Sequence, residues 1–274
     1  MEIEYLEHPP AASLGPWVDR YWSFRTKGPA EAITPEQCCI PLGMPEFMAH
    51  LYGRPSEGLF RGSWTAFPKA YFIGISLRPM VWHMQGTGCM VGMRLKPEGA
   101  LRLLGLPLAQ LCNSYADAAL HLEPSLFRSV EMGLGTRDPA LAIQRLEQLL
   151  LDRLACTEAL EDRFVNALRG MRERGVRWDR QALYDHLFVG DRQMQRLFKE
   201  RLGLSPRAYF KLMRFREAYD AARDRRNVDW MALVDLLGYS DQPHLIRDFK
   251  RFSGATPGLF VQQELPRFQR PAAH

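Results

Sequence analysis

The chain has 274 residues, of which 46% are hydrophobic and 11% aromatic, so it holds enough apolar material for the cores of two domains. It lacks any run of about 18 apolar residues, and its acidic start lacks the pattern of a signal peptide, so we expect a cytoplasmic protein without a membrane segment. Five cysteines without a CxxC pair or a zinc-finger histidine spacing favour free thiols over a metal site or a disulfide framework.

The two parts of the chain differ in charge. Residues 1–155 hold 14 basic and 15 acidic side chains, whereas residues 156–274 hold 22 and 16. Nineteen of those 22 are arginine, whose planar guanidinium group fits phosphates and the edges of guanine bases. The charges therefore predict a regulatory or dimerisation domain over residues 1–155 and a nucleic-acid-binding domain over residues 156–268.

The first 96 residues are rich in glycine, proline, aromatic and β-branched residues, and their apolar runs have the length of strands. The runs lie at 39–42, 47–52, 70–77 and 90–95. Turn signals separate them, among them Pro41-Leu42-Gly43. We therefore expect a barrel-like antiparallel β-domain.

From Pro97 onward apolar residues recur every three or four positions, which predicts helices that flank the β-domain. A further helix is expected after Pro139, with one apolar stripe formed by Ile143, Leu146, Leu149, Leu150 and Leu154. The stripe leaves two interpretations open. It forms a spacer or a seam between two copies of the chain, or the helix packs on its own domain.

The C-terminal part contains an internal repeat. The pattern RxFKxxxGx(S/T)P occurs at 196–206 and again at 247–257, an offset of 51 residues. In each copy, apolar residues at helical spacing define one face and polar or basic residues define the opposite face. A short helix and a turn are expected before each copy, at 179–190 and 230–240, so the repeat predicts two helix-turn-helix modules.

The outward faces of the two modules supply the candidate DNA contacts. The candidates are Arg192, Gln195, Arg196 and Lys199 in the first module, and Gln242, His244, Arg247 and Lys250 in the second. Ser240 is expected to cap the second recognition helix. A connecting helix from Pro206, capped by Ser205, would be about 27 Å long and suits two recognition helices one DNA turn apart, about 34 Å. A helical bundle with merely solvated arginines is the alternative, and the two matched copies disfavour it.

Two segments carry a resemblance to a known family. The sequence GYSDQPHLIRDFKRFSGATP, from Gly238 to Pro257, resembles the signature of AraC-family bacterial transcription regulators, and DRQMQRLFKERLGLSP, from Asp191 to Pro206, resembles their first helix-turn-helix. The resemblance implies an α+β protein in which a β-rich domain with flanking helices precedes an all-α domain of two helix-turn-helix modules joined by a long helix. It also implies sequence-specific binding in the major groove of double-stranded DNA and activation through RNA polymerase.

The N-terminal part resembles the sensor-like domains that precede such modules, which implies a small-molecule effector or a homodimer. Trp22, Phe24, Trp64 and Trp82 are the candidate lining of an effector pocket, because such pockets are commonly aromatic. The alternative is that these rings fill the β-core.

No catalytic, metal-binding or cofactor-binding motif is found, so we expect neither enzyme activity nor a cofactor. His50 and His83 are interpreted as core or surface residues rather than catalytic bases. The alternative function is a DNA-repair or modification enzyme that uses the same DNA-binding module. Such an enzyme would need a reactive cysteine beside metal-binding cysteines, a spacing that the sequence does not supply.

Overall fold

The computed structural model describes residues 1–60, 62–156, 162–173, 183, 187–223 and 228–262. Its N-terminal part is built from short antiparallel strands. They are β1 (Glu2–His8), β2 (Val18–Lys27), β3 (Gln37–Cys39), β4 (Glu46–Tyr52), β5 (Glu57–Phe60), β6 (Ser63–Ala66), β7 (Ala70–Ile73), β8 (Met80–His83), β9 (Gly88–Leu95) and β10 (Tyr115–Asp117).

The strands form two sheets. One has the order β1-β2-β9-β4-β7-β10, and the other has the order β3-β8-β5-β6. Because side chains alternate along a strand, β2 contributes to two cores: Trp22 and Phe24 pack toward the second sheet, and Tyr21 packs under the helices. The ring of Phe24 lies 5.0 Å from that of Trp82 on β8, which joins the sheets. The predicted β-rich domain is confirmed, in the form of two packed sheets.

The apolar runs at 47–52 and 90–95 correspond to β4 and β9, and the run at 70–77 is a strand, β7, only over its first half. The run at 39–42 is a strand only at its start, because the chain turns at Gly43, where φ is 72°. The apolar-run criterion misses β1 and β2, since charged side chains interrupt both strands. Their pairing with each other and with β9 makes them part of the larger sheet.

Ten helices are seen in the described residues. In chain order they are α1 (Pro97–Leu104), α2 (Leu108–Leu111), α3 (Pro124–Gly133), α4 (Pro139–Cys156), α5 (Arg163–Glu173), α6 (Asp191–Leu202), α7 (Pro206–Arg223), α8 (Trp230–Leu237), α9 (Gln242–Ser253) and α10 (Pro257–Gln262), with a single 3-10 turn at Ala118–Leu120. No helix in this part of the chain is long and apolar enough to cross a bilayer.

The leucine stripe of α4 packs on its own domain. Ile143, Leu146 and Leu150 are buried, Leu149 and Leu154 are half-buried against the same core, and α4 lies against β2, β9 and α3. Arg153 of the same helix donates to the carbonyl of Leu103 at 3.1 Å. The second of the two interpretations left open by the sequence therefore describes this helix, because most of its stripe packs inside its own domain.

Candidate nucleic-acid interface

The first recognition helix is α6. It begins at Asp191 after Gly190, which has extended backbone and offers no side-chain cap, and it ends at Gly203 in the left-handed region with φ of 75°. Met194, Phe198 and Leu202 are buried on one face. The candidate contacts Arg192, Gln195, Arg196 and Lys199 are all exposed on the other face.

The helix expected before α6, at 179–186, lies largely outside the described residues. Leu183, which the sequence places on its inward face, is buried. The chain then turns through Phe188, which has φ of 52° and is 88% exposed. A left-handed residue in this position redirects the backbone into the recognition helix.

The second module repeats this plan with described residues throughout. Helix α8 is capped by Asp229, whose carboxylate accepts from the backbone of Met231 and Ala232 at 3.0 Å, and it ends at the left-handed Gly238. The second recognition helix, α9, then buries an apolar face that includes Leu245 and Phe249.

The cap of α9 differs from the prediction. Asp241, not Ser240, is the N-cap, because its Oδ1 accepts from the backbone N–H of His244 at 2.6 Å. Ser240 lies one residue outside the helix and donates to the Asp241 carboxylate at 3.3 Å. A carboxylate at this position also interacts favourably with the helix dipole.

The candidate contacts of α9 divide into two groups. Gln242, Arg247 and Lys250 are exposed, as are their counterparts in the first module. His244 is half-buried, and its Nε2 lies 3.5 Å from Asp248 Oδ2 while its Nδ1 lies 3.2 Å from the Ser240 hydroxyl. Internal contacts thus hold His244, which leaves it less free than the other three to reach a base.

Asp248 is a buried acid that the sequence analysis did not single out. It stands where the first copy has Leu197, and besides His244 it contacts Lys211 Nζ on α7 at 3.3 Å. A buried carboxylate is tolerated when it is paired in this way. The sequence could have pointed to Asp248, because this acid replaces a leucine of the first copy on the inward side of the helix.

Helix α7 carries both modules. Phe198 of α6 packs against Tyr209, with ring centroids 5.6 Å apart, and Phe249 of α9 packs against Phe215, with centroids 5.2 Å apart. Ser205 accepts from the backbone of Ala208 at 3.2 Å, as expected for the cap of a helix that begins with proline. The 18 residues of α7 correspond to a helix length of about 27 Å.

Both parts of the chain match known domain families. Residues 183–263 match a helix-turn-helix domain family of the AraC type. The chain carries an AraC-type DNA-binding domain. Residues 6–117, ahead of this AraC-type domain, match a domain family of unknown function, DUF6597. A comparison with curated protein sequences found no match.

Solved structures with similarity to most of the chain have low sequence identity. ToxT from Vibrio cholerae is 8% identical, covers 94% of this chain and 98% of its own, and has a TM-score of 0.47. A fatty-acid-bound form of ToxT from Vibrio cholerae strain SCE256 is 8% identical and has a TM-score of 0.43. The match covers 95% of this chain and 94% of the ToxT chain. The AraC-like transcriptional activator CuxR is 13% identical and has a TM-score of 0.27. The match covers 72% of this chain and 80% of the CuxR chain.

The AraC-type domain is tied to the β-rich part through α7. Arg216 donates to Asp19 Oδ1 at 2.9 Å, and Asp19 also accepts from the buried Arg94 at 3.4 Å. Burial acts to raise the pKa of Asp19, but the guanidinium groups of Arg216 and Arg94 outweigh it and hold that pKa well below its ordinary value. The ion pair is therefore charged at neutral pH.

Two glycines allow the close approach of the two parts. A Cβ at Gly43 would lie 1.8 Å from Met213 Cε on α7, and a Cβ at Gly203 would lie 2.8 Å from the Ala109 carbonyl oxygen on α2. Gly43 belongs to the Pro41-Leu42-Gly43 turn, and both glycines have positive φ. The turn singled out in the sequence thus lies against the helix that joins the two DNA-binding modules.

The four aromatic candidates for an effector pocket do not lie together. Trp22, Phe24 and Trp82 are within 1% of complete burial and share one cluster between the sheets. Trp64 on β6 is 38% exposed and its ring lies 4.0 Å from that of His83. The first three fill space in the β-core, and Trp64 lies at its edge.

The two histidines are also placed. His50 is buried and accepts from the backbone N–H of Ser56 at 2.9 Å. His83 Nε2 lies 3.1 Å from Glu57 Oε2, a partner on a neighbouring strand that sequence spacing did not reveal. Among the described residues, no group of three or more His, Cys, Asp and Glu side chains is arranged to hold a metal ion.

Proposed function

We propose that this AraC-type transcription regulator acts in the cytoplasm by inserting α6 and α9 into successive segments of the DNA major groove. The observation that carries the proposal is that both helices are packed along α7 while their polar faces remain exposed. An α-helix fits the major groove, where each base pair presents its own pattern of donors and acceptors.

The first module is proposed to carry more of the sequence discrimination. Arg192, Gln195 and Arg196 can all form hydrogen bonds with base edges or phosphates. The second module has Pro243 and Ile246 at the positions that match Arg192 and Gln195, and neither side chain donates a hydrogen bond. Its remaining exposed groups are better suited to phosphate contacts and general affinity.

The test is a selection from randomised DNA with the full-length protein at fixed salt, followed by affinity measurements. Arg192→Ala and Arg196→Ala should flatten base preference in the half-site nearest α6, since a bidentate contact discriminates by about 1 to 3 kcal/mol. Arg247→Ala should lower affinity evenly across sequences. Each lost phosphate contact should also reduce the slope of log affinity against log salt by about 0.9.

Arg128→Ala is the matched control, because Arg128 is an exposed arginine on α3, outside the AraC-type domain. It should leave both base preference and salt slope unchanged. If no sequence is enriched by the wild-type protein, the proposed function is wrong. If Arg247→Ala flattens base preference more than the first-module changes, the division of roles between the modules is wrong.

The N-terminal domain is proposed to regulate DNA binding through its contact with α7, in response to an effector or to dimerisation. Arg216 and Met213 support this, because both lie on the helix that sets the separation of the recognition helices. Activation through RNA polymerase belongs to the same proposal, and a promoter–reporter assay with and without the protein tests it. A homodimer would require a surface other than the α4 stripe.

A further inference from the structure

A cleft of about 970 Å³ lies between the N-terminal domain and the end of α9. Strands β5, β7 and β8 with their adjoining loops form one side, and Arg251 of α9 forms the other. The two parts come close here, since a Cβ at Gly254 would lie 4.0 Å from Pro79 Cγ. Small-molecule sites of this size are common at the junction of two domains.

The charges that line this cleft have one sign. Arg78 comes from the N-terminal domain and Arg251 from the AraC-type domain, both are exposed, and none of the described lining residues is acidic. A smaller cleft of about 270 Å³ shares Arg251 and adds Arg207 and Lys211, of which Lys211 is paired with Asp248. Cations that face one cleft without a carboxylate repel one another and attract an anion.

The floor of the cleft is apolar. Leu59, Phe60, Ile73 and Met80 line it, and each is half-buried or exposed rather than sealed in a core. Covering such side chains with an apolar group is favourable, because it removes apolar surface from water. An inorganic anion would leave this surface wet, so the lining favours a ligand with both a charge and an apolar body.

The rim that presents Arg78 is held in place. Asn113, which has φ of 56°, accepts from the backbone of Leu77 through its side-chain oxygen at 2.9 Å. The hydroxyl of Ser76 accepts from the backbone N–H of Arg78 at 3.2 Å. Because these bonds order the rim in advance, a ligand does not have to bear that entropic cost on binding.

We propose that this cleft binds a small organic anion with an apolar body, such as an aryl or acyl carboxylate or sulfonate. The charged group lies between Arg78 and Arg251, and the apolar body covers Phe60 and Ile73. A bound anion would tie the end of α9 to the N-terminal domain, because Arg251 follows Lys250 on that recognition helix. Only this link to DNA binding rests on the proposed function; the binding of the anion does not.

The experiment titrates full-length protein with the fluorescent anion anilinonaphthalene sulfonate and, in parallel, with phenylnaphthylamine, its uncharged parent. We expect saturable binding of one sulfonate per chain and much weaker binding of the uncharged parent. Arg78→Gln and Arg251→Gln should each weaken sulfonate binding about tenfold, the loss expected for one charge-assisted hydrogen bond. Arg128→Gln, an exposed arginine elsewhere, should leave it unchanged.

Circular dichroism of each variant separates lost binding from lost folding. Equal binding of the two probes, or equal loss in Arg128→Gln, overturns the proposal. The second arm measures DNA binding by wild type and by each variant in the absence of probe. If Arg78→Gln weakens DNA binding but not sulfonate binding, the cleft is a phosphate-contacting surface instead. If sulfonate binds as expected but no DNA is bound, the anion site stands and the proposed function fails.

Discussion

His50 shows how burial decides the chemistry of a single residue. Its side chain is only 3% exposed, and its Nε2 accepts from the backbone of Ser56 at 2.9 Å. Burial disfavours the charged ring and lowers the pKa of His50 to about 4. The ring is therefore neutral in the folded protein at pH 7, which agrees with a structural role.

This pKa predicts a dependence of stability on pH. Between pH 6.5 and 4 the unfolded chain binds a proton at His50 that the folded chain does not, so this contribution to stability is present above about pH 6.5 and lost as pH falls. From pH 7 to pH 5 the loss should be about 2 kcal/mol. Urea unfolding of wild type and His50→Gln, which keeps an acceptor without a titrating group, measures the difference between the two curves. Parallel curves would contradict the prediction.

The two recognition helices differ in how their first turns are capped. Helix α6 starts after Gly190 without a side-chain acceptor, whereas Asp241 accepts from His244 at the start of α9. A missing acceptor leaves backbone N–H groups of the first turn to water. The first turn of α6 is therefore less firmly held than that of α9, although α6 is proposed to read more of the sequence.

Cap substitutions test this difference. Asp241→Ala should lower the free energy of unfolding by about 1 kcal/mol, and Gly190→Ser should raise it by a few tenths, since glycine is already tolerated at an N-cap. Space is available for the serine, because a Cβ at Gly190 meets no atom within 4 Å. Asp235→Ala removes an exposed charge from α8 without removing a cap. Denaturant unfolding measures these changes. If Asp235→Ala lowers the free energy of unfolding as much as Asp241→Ala does, the assignment of Asp241 as the N-cap is contradicted.

At the scale of the molecule, one buried core runs through both parts. It includes Phe47 and Leu95 of the larger sheet, Met213 of α7 and Phe249 of α9. Ion pairs cross the same boundary, with Arg172 of α5 donating to the wholly buried Glu98 of α1 at 2.7 Å. A shared core couples the position of α7 to the N-terminal domain, because close-packed interiors transmit displacement.

Two glycines at corresponding positions of the modules allow this coupling to be tested. Gly203 ends α6 and Gly254 ends α9, both in the left-handed region, but only Gly203 abuts the backbone of α2. Gly254→Ala should cost about 1 to 2 kcal/mol for its backbone conformation alone. Gly203→Ala should cost more, and it should increase hydrogen exchange in α2 and alter DNA affinity. Equal effects of the two substitutions would show that the contact between the domains contributes nothing.

The two helix-turn-helix modules could be predicted from local patterns in the sequence. The offset of 51 residues between the copies, the alternation of apolar and basic positions, and the glycines after each recognition helix are local patterns, and local hydrogen bonding and helix periodicity suffice to interpret them. The same reasoning identified β4, β7, β9 and α4 as elements. It placed Ser240 at a cap that Asp241 provides, because the choice between adjacent acceptors depends on backbone angles that residue types do not specify.

Contacts between residues far apart in the chain could not be predicted in this way. The contact of Gly43 with Met213, the pairing of Asp19 with Arg216, and the approach of Glu57 to His83 join segments between 26 and 197 residues apart. It also separated Trp64 from Trp22 and turned the leucine stripe of α4 inward. Such contacts follow from how sheets and helices pack, and a pattern that recurs every two or four residues carries no information about its partner surface.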